Sequence, residues 1–190
     1  AELKLRFVGT TGSSYTSDIA IDNIIFSAEI PDPDPVPSCS SLISTFPYAE
    51  SFEGNVGWAQ AADDDGDWLR DAGGTPSSGT GPSSADDGSY YMYLESSTSG
   101  AGQIGSNATA ILESPCFDLT GLPAATFSFS HHMYGSSIGS LSLEVYQEDA
   151  GWLSLWSASG AKGNQWNDVS IDMNAYIGQT ALKLRFVGIT

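Results

Sequence analysis

Two stretches of this sequence contain side chains of the kinds found in catalytic or metal-binding sites. The first is Gly135–Gly139, which reads Gly-Ser-Ser-Ile-Gly and fits the G-x-S-x-G pattern of some hydrolases. A base for Ser137 would have to come from His131 or His132, a few residues upstream. The pattern needs a strand-to-helix turn, whereas the residues around it alternate like two strands joined by a loop. We therefore interpret it as a turn and predict that the chain is not an enzyme.

The two histidines are neighbours on one predicted strand. Successive side chains of a strand point to opposite faces, so His131 and His132 cannot share a metal ion. We expect one core histidine and one surface histidine.

The second stretch is Asp63–Asp67, which reads Asp-Asp-Asp-Gly-Asp. It superficially resembles a calcium loop, but the EF-hand spacing and the terminal Glu are missing. Taken alone, these residues fit a solvated loop as well as a cation site.

Composition narrows the classes of partner. The 190 residues contain six Lys and Arg against 23 Asp and Glu, a formal net charge of −17. Such a chain is repelled by bare nucleic acid and by anionic membranes, and no apolar run is long enough for a membrane span. The excess acid suits a soluble secreted or cell-surface protein. No signal peptide is visible, as expected of a segment from the middle of a longer protein.

The two cysteines, Cys39 and Cys116, permit one disulfide. Two buried thiols are the alternative. The acidic, extracellular-looking composition favours the disulfide.

The elements that must position these residues are strands. Alternation of apolar and polar residues is strict in two segments, and no segment of helical length has a 3.6-residue period. Short strands with frequent turn signals predict an all-β fold, an antiparallel β-sandwich or jelly roll. The predicted strands are Phe46–Phe52, Trp58–Gln60, Tyr90–Glu95, Thr109–Leu112, Ala125–Met133, Leu141–Gln147, Trp152–Trp156, Trp166–Met173 and Ala181–Val187.

One heptapeptide, Leu-Lys-Leu-Arg-Phe-Val-Gly, occurs at 3–9 and again at 182–188. The repeat suggests one period of a tandem array, cut inside a domain. Between the copies, Pro31–Pro37 has a proline at every second position, which predicts a stiff, extended linker of roughly 20 Å at about 3.1 Å per residue.

The order and spacing of the motifs resemble the MAM domains of the meprin, A5 and receptor phosphatase mu family. The motifs are Ser51–Glu53, Gly57–Gln60, Asp64–Trp68, Thr80–Ser83, Tyr91–Glu95, Leu112–Pro115, His132–Gly135, Ile138–Leu141, Leu155–Trp156, Gly160, Gly163, Trp166 and Leu184–Gly188. Family members close with a strand similar to Asp18–Ile24, which in this chain stands near the beginning.

The resemblance implies that the chain has three parts. Residues 1–30 are similar to the C-terminal strands of a preceding MAM domain, or of the same domain permuted; residues 31–38 are the linker. Residues 39–190 resemble a MAM domain without its own closing strand. Family cysteines near Ser51 and Trp58 are missing, so the eukaryotic disulfide pattern does not carry over, and the pattern looks bacterial.

The resemblance also implies a structural cation, Ca²⁺ or Na⁺, since related jelly rolls hold one where acidic loops meet the first and closing strands. Hard oxygen ligands from separate loops suit such an ion. The matching residues are Glu53, Asp65, Asp67, Asp87 and Asp18.

Two functions follow from the resemblance. The first is a non-catalytic adhesion or interaction module, a repeat unit of an extracellular or cell-surface protein that binds other copies of the repeat or a surface protein or glycan. The alternative is a carbohydrate-binding module of a secreted polysaccharide-degrading enzyme. Four of the five Trp coincide with family motifs, which leaves Trp152 as the predicted ligand-binding aromatic residue.

A sandwich without its closing strand has a bare edge and an unfilled core. We therefore expect residues 17–27 to dock onto the body formed by 39–190. Docking within one chain and docking between chains, as a strand-swapped oligomer, are both open.

Overall fold

The structure is a computed structural model that describes Arg6, Ala20 and residues 37–39, 41–100 and 102–190. The chain divides into two compact units, Ala1–Asp32 and Pro33–Thr190. The first unit is described only at two exposed residues. The first heptapeptide copy, the predicted closing strand at 17–27 and most of the linker therefore lie outside the described residues.

The second unit is built from strands, which confirms the all-β prediction. It contains eleven strands among its described residues and one turn of 3₁₀ helix at Asn174–Tyr176. The strands are β1 Leu42–Ile43, β2 Ala59–Gln60, β3 Leu69–Ala72, β4 Tyr90–Tyr93, β5 Thr109–Glu113, β6 Cys116–Phe117, β7 Thr126–His132, β8 Ser140–Gln147, β9 Gly151–Ser159, β10 Trp166–Asp172 and β11 Leu184–Ile189. No helix in this described part is long and apolar enough to cross a bilayer.

One layer is a five-stranded antiparallel sheet in the order β2-β5-β11-β8-β9. Its central strand, β11, comes from the second heptapeptide copy, and Phe186 pairs with Leu112 on one side and Leu143 on the other. Alternation places Leu184 in the core, while Lys183 and Arg185 form ion pairs with Glu113 and Glu144. The basic residues of this copy are thus neutralised by neighbouring strands.

Gly188 marks the tightest point of β11. A Cβ atom there would lie 2.4 Å from a methyl carbon of Leu94 and 2.9 Å from the Trp68 ring. The strand can pass beneath these two side chains only because residue 188 is glycine.

The second layer contains the antiparallel pair β7 and β10, and the smaller pairs are β3 with β4 and β1 with β6. The predicted alternation of β7 is confirmed, because Phe127 and Phe129 pack toward the core. The buried cluster between the layers contains Trp58, Leu112, Phe117, Leu119, Leu143, Val145, Met173, Leu182 and Leu184.

The predicted strand Phe46–Phe52 is wrong, since these residues form loop rather than strand in the structure. Sequence alternation alone does not make a strand, because each strand needs a neighbour to satisfy its backbone groups. Strands β1, β3 and β6 were not predicted; all three are short, β1 pairs with β6, and β3 pairs with β4.

Candidate functional site

The serine of the G-x-S-x-G pattern lies in the turn between β7 and β8, as predicted. Gly135 has φ of 153°, and a Cβ there would lie 2.7 Å from Thr80 Oγ1. The pattern thus reflects a tight turn packed against the loop that holds Thr80. Among the described contacts, no hydrogen bond joins Ser137 to His131 or His132, so a nucleophile–base pair is not formed.

The histidines occupy different environments, as predicted, although neither is a fully exposed surface residue. His131 is buried and its ring lies 4.9 Å from that of Trp156, centre to centre. His132 is half-buried, packs 5.4 Å from the ring of Trp166 and contacts Asn164 Oδ1 at 3.2 Å. Burial lowers the pKa of both rings, which keeps them neutral near pH 7.

The acidic stretch acts as an extension of the sheet. Asp65 Oδ2 accepts the Thr109 backbone N–H at 2.8 Å, and Asp64 Oδ2 accepts that of Ile111 at 2.7 Å. Both donors belong to β5, beyond the point where β2 ends. Two carboxylates therefore satisfy an edge that would otherwise have unpaired N–H groups.

Glu53 is held by a different loop. Its Oε1 accepts the backbone N–H groups of Ser89 and Tyr90, each at 2.7 Å. These bonds, assisted by the nearby charge of Arg70, keep the pKa of this exposed carboxyl below its usual range. Arg70 in turn lies 3.5 Å above the centre of the Tyr90 ring.

The predicted cation ligands are not gathered within the described part of the chain. Glu53, Asp65, Asp67 and Asp87 are all exposed, and no three His, Cys, Asp or Glu side chains among the described residues converge as a metal site would require. The fifth predicted ligand, Asp18, lies outside the described residues. The four described carboxylates alone do not fit a cation, and the site stays a prediction.

Trp152 lies on the outer face of the five-stranded sheet. The Arg185 guanidinium carbon stands 4.2 Å from the centre of its ring, and Tyr146 contacts it edge-on with ring centres 5.5 Å apart. Glu144 holds Arg185 in place through a 2.7 Å ion pair. The sequence singled out Trp152 but not its neighbours, because these contacts join three different strands.

The predicted disulfide between Cys39 and Cys116 is present in the structure, with Cα atoms 5.6 Å apart. Cys116 begins β6 and is buried. The disulfide holds Cys39 against β6. A second contact holds the neighbouring residue, because Lys183 Nζ donates a hydrogen bond to Ser38 O at 3.3 Å.

A large open cleft separates the two layers of the sandwich. Its volume is about 960 Å³, and the aromatic rings of Phe127, Phe129 and Phe186 line it while remaining only half-buried. The lining follows β7 over its whole length and includes β4, but takes only Trp166 from β10. The cleft thus runs along the side of β7 that faces away from β10.

On that side of β7 the backbone groups of alternate residues pair with no described residue. The carbonyls of Ala125 and Met133 accept bonds from the β10 side, from Met173 N and Lys162 N. In an antiparallel ladder the backbone groups of alternate residues face one neighbour, so those of the even-numbered residues face the cleft. No described backbone group bonds those of Thr126, Ser128 or Ser130. A strand edge seven residues long therefore borders an apolar cleft.

The sequence of the second unit matches a known protein family. Residues 51–190 match the family model described as "MAM domain, meprin/A5/mu". The matched region includes β2 to β11, and hence both main sheets.

Among curated proteins, MAM domain-containing glycosylphosphatidylinositol anchor protein 1 of Rattus norvegicus is 36% identical over 130 residues, 62% of this chain and 13% of that protein. Protein 2 of the same name from Mus musculus is 31% identical over 171 residues, 78% of this chain and 17% of that protein. Neuropilin-1a of Danio rerio is 32% identical over 139 residues, which is 66% of this chain and 14% of that protein. The chain thus spans less than a fifth of the length of these relatives.

Among solved structures, the K1 cleaved adhesin domain of Lys-gingipain from Porphyromonas gingivalis W83 aligns with a TM-score of 0.46 at 16% identity. The alignment covers 70% of this chain and 81% of that one.

Proposed function

This chain belongs to the MAM domain family of extracellular adhesion and interaction modules, and we propose that it serves as a non-catalytic repeat unit of a larger secreted or cell-surface protein. The observation that carries the proposal is the extent of the match, which takes in both main sheets from β2 to β11. The disulfide between Cys39 and Cys116 supports an extracellular location.

The surfaces of the body also support an interaction role. The β7 edge and the cleft beside it can accept a partner through backbone hydrogen bonds and apolar contacts. Ser137, by contrast, lies in a turn and is hydrogen-bonded to neither histidine among the described contacts, which supports the non-catalytic part of the proposal.

Bead aggregation tests the adhesive role. Beads coated with the full chain should cluster with one another or adhere to a surface coated with the chain, whereas albumin-coated beads should not. Failure of both would contradict adhesion between copies of the chain.

Turnover tests the non-catalytic part of the proposal. The chain should hydrolyse neither p-nitrophenyl acetate nor soluble polysaccharides above the blank. Hydrolysis that Ser137→Ala abolishes and Ser136→Ala preserves would overturn it.

A carbohydrate-binding module is the second candidate, favoured by the arrangement of Trp152, Tyr146 and Arg185. The Arg185 guanidinium covers one face of the Trp152 ring; a ring of this kind can stack its other face on a sugar, and a guanidinium can donate hydrogen bonds to sugar hydroxyls. Retardation in polysaccharide affinity gels, lost in Trp152→Ala and kept in Leu153→Ala, would support it. Leu153 is a matched control because it is adjacent and 43% exposed.

A further inference from the structure

We propose that β9 pairs with β9 of a second copy of this chain, antiparallel and about a twofold axis, so that the two five-stranded sheets join edge to edge. The inference rests on the proposed function, because it names a second copy as partner of the module and gives the surface that this copy contacts. Pairing is measured in solution and adhesion on beads, so the failure of either is seen separately.

Strand β9 forms one edge of the five-stranded sheet. It is nine residues long, and among the described strands only β8 pairs with it. Proteins commonly protect a sheet edge with charged side chains or proline, and β9 contains neither. Its outer backbone groups are therefore a template for another strand.

The opposite edge of the same sheet is closed. Strand β2 is only two residues long, and beyond its end Asp64 and Asp65 accept backbone N–H groups of β5. These carboxylates occupy the groups that an added strand would need, and they repel a second acidic chain. Among the described strands, β9 is thus the edge at which this sheet can be extended.

At the C-terminal end of β9, Ser157 and Ser159 direct their backbone groups away from β8. The next residue, Gly160, donates its N–H to Gly139 O at 2.8 Å, and successive residues of an antiparallel strand alternate between the two sides. Both serines are exposed and small. A neighbouring strand can therefore approach this end closely.

At the N-terminal end, the outward residues are Trp152 and Ser154. Trp152 is the register partner of Tyr146, whose backbone N–H donates to Lys183 O on the far side of β8. The backbone groups of Trp152 therefore face away from β8, and those of Ser154 do the same two positions later.

A β-bulge lies between these two ends. The register with β8 shifts between Leu143 and Glu144, which leaves Leu155 as an extra residue of β9. Leu155 and its neighbour Trp156 both pack against the core cluster, so neither belongs to the outward set. A bulge hinders pairing with a regular strand, because such a strand has no matching irregularity.

A second copy does match, because the bulge makes the outward set symmetric. The outward residues are spaced by two positions from Trp152 to Ser154, by three from Ser154 to Ser157 and by two from Ser157 to Ser159. This spacing is the same in both chain directions. A twofold axis through the bulge therefore places Ser154 opposite Ser157 of the other copy, and Trp152 opposite its Ser159. The symmetry selects a second copy over an unrelated strand.

Charge favours the same contact. A formal net charge of −17 makes two copies repel one another over most of their surfaces. Strand β9 has no charge, and Glu144 on the neighbouring strand is paired with Arg185 at 2.7 Å. Two copies can thus meet along β9 without like charges directly opposite each other.

Proline substitutions test the edge. Ser157→Pro removes an outward N–H, which an edge position of the monomer tolerates but pairing with a second copy requires. By multi-angle light scattering over a concentration series, the unmodified chain should pass from monomer to dimer, and Ser157→Pro should stay monomeric. Ser170→Pro is the matched control, because Ser170 directs its N–H to the outer edge of β10. It should dimerise like the unmodified chain.

Mixed cysteine variants test the register. In a glutathione buffer, Ser154→Cys mixed with Ser157→Cys should form a disulfide-linked dimer with one chain of each, since the twofold axis places these positions opposite each other. Ser154→Cys mixed with Ser159→Cys is the control. It should cross-link far less, because the two positions are then offset by roughly 7 Å along the strand. Mass spectrometry of non-reduced peptides identifies the linkage.

Circular dichroism melting shows that each variant is folded before masses are compared; if Ser157→Pro does not fold, cross-linking decides. An unmodified chain that stays monomeric at every concentration would overturn the pairing, as would dimers that persist in folded Ser157→Pro. Equal cross-linking of the two cysteine mixtures would overturn the register, and with it the choice of a second copy. Beads coated with Ser157→Pro that cluster like those coated with the unmodified chain would leave adhesion intact and overturn β9 as its surface.

Discussion

The guanidinium of Arg185 lies 4.2 Å from the centre of the Trp152 ring while its Nε is 2.7 Å from Glu144 Oε2. One side chain of the central strand thereby connects two further strands across the outer sheet face. Both charged groups are about one-fifth exposed, so the pair is only partly screened by solvent.

The first prediction concerns this contact. Arg185→Ala should lower the free energy of unfolding by about 1–2 kcal/mol, because Glu144 loses its partner in a partly buried place. In a double-mutant cycle with Trp152→Ala, the coupling should be about 0.5–1 kcal/mol. Urea unfolding measures both. Additive effects would show that the stacked geometry contributes nothing.

The disulfide gives the second prediction. It joins residues 77 positions apart, and closing such a loop stabilises by about 4.5 kcal/mol in the chain-entropy description. The double variant Cys39→Ala/Cys116→Ala should therefore unfold at a much lower urea concentration. A midpoint close to that of the unmodified chain would mean that the unfolded chain is already constrained in this region.

Glu53 gives the third prediction, on stability at acid pH. Its pKa is lowered in the folded chain, so its stabilising contribution is present above the usual value of about 4.3 and is lost as pH falls through the folded pKa. Glu53→Gln should flatten melting temperature against pH below this value. Glu148→Gln, an exposed control, should leave the curve unchanged.

His131 gives the fourth prediction, in a higher pH window. Burial lowers the pKa of its ring, so the unfolded chain binds a proton first, and stability falls as pH drops below about 6.5. Its Nδ1 is buried and has no hydrogen-bond partner in the part of the chain that the structure describes. His131→Phe should reduce the loss of stability between about pH 6.5 and 5. If the stability of His131→Phe falls with pH as steeply as that of the unmodified chain in this range, the loss of stability comes from other titratable groups.

Gly188 gives the fifth prediction. Gly188→Ala should destabilise the chain by about 1–3 kcal/mol, since the added methyl group overlaps Leu94 and Trp68. Gly54→Ala is the matched control, because a Cβ there meets no atom within 4 Å. Equal free energies of unfolding for the two variants would show that Leu94 and its loop can move away from the added methyl group with no loss of stability.

The alternation of apolar and polar residues was sufficient to predict that the fold consists of β-strands. The alternation in β7 and β8 predicted which side chains face the core, and two cysteines in an acidic chain predicted the bridge that the structure contains. Alternation failed at Phe46–Phe52, where the apolar residues line the cleft from a loop. Periodicity records which side chains are buried, and it cannot supply a hydrogen-bonding neighbour.

The acidic residues show the limit most clearly. Sequence alone could not assign Asp64 and Asp65 to the backbone of β5, some 45 residues away, because the partners are brought together only when the sheet forms. The same holds for Arg185, which reaches Glu144 and Trp152 across two strand pairings.

The family, the β-strand class of the fold and the expectation of an unfilled core all follow from residue types and their spacing. The position of the second heptapeptide copy as the central strand, and the course of the open cleft along β7, depend on how the strands pack together. Registers between distant strands determine which edge lacks a neighbour. No local pattern contains that information, because each register depends on every other strand packed into the same two layers.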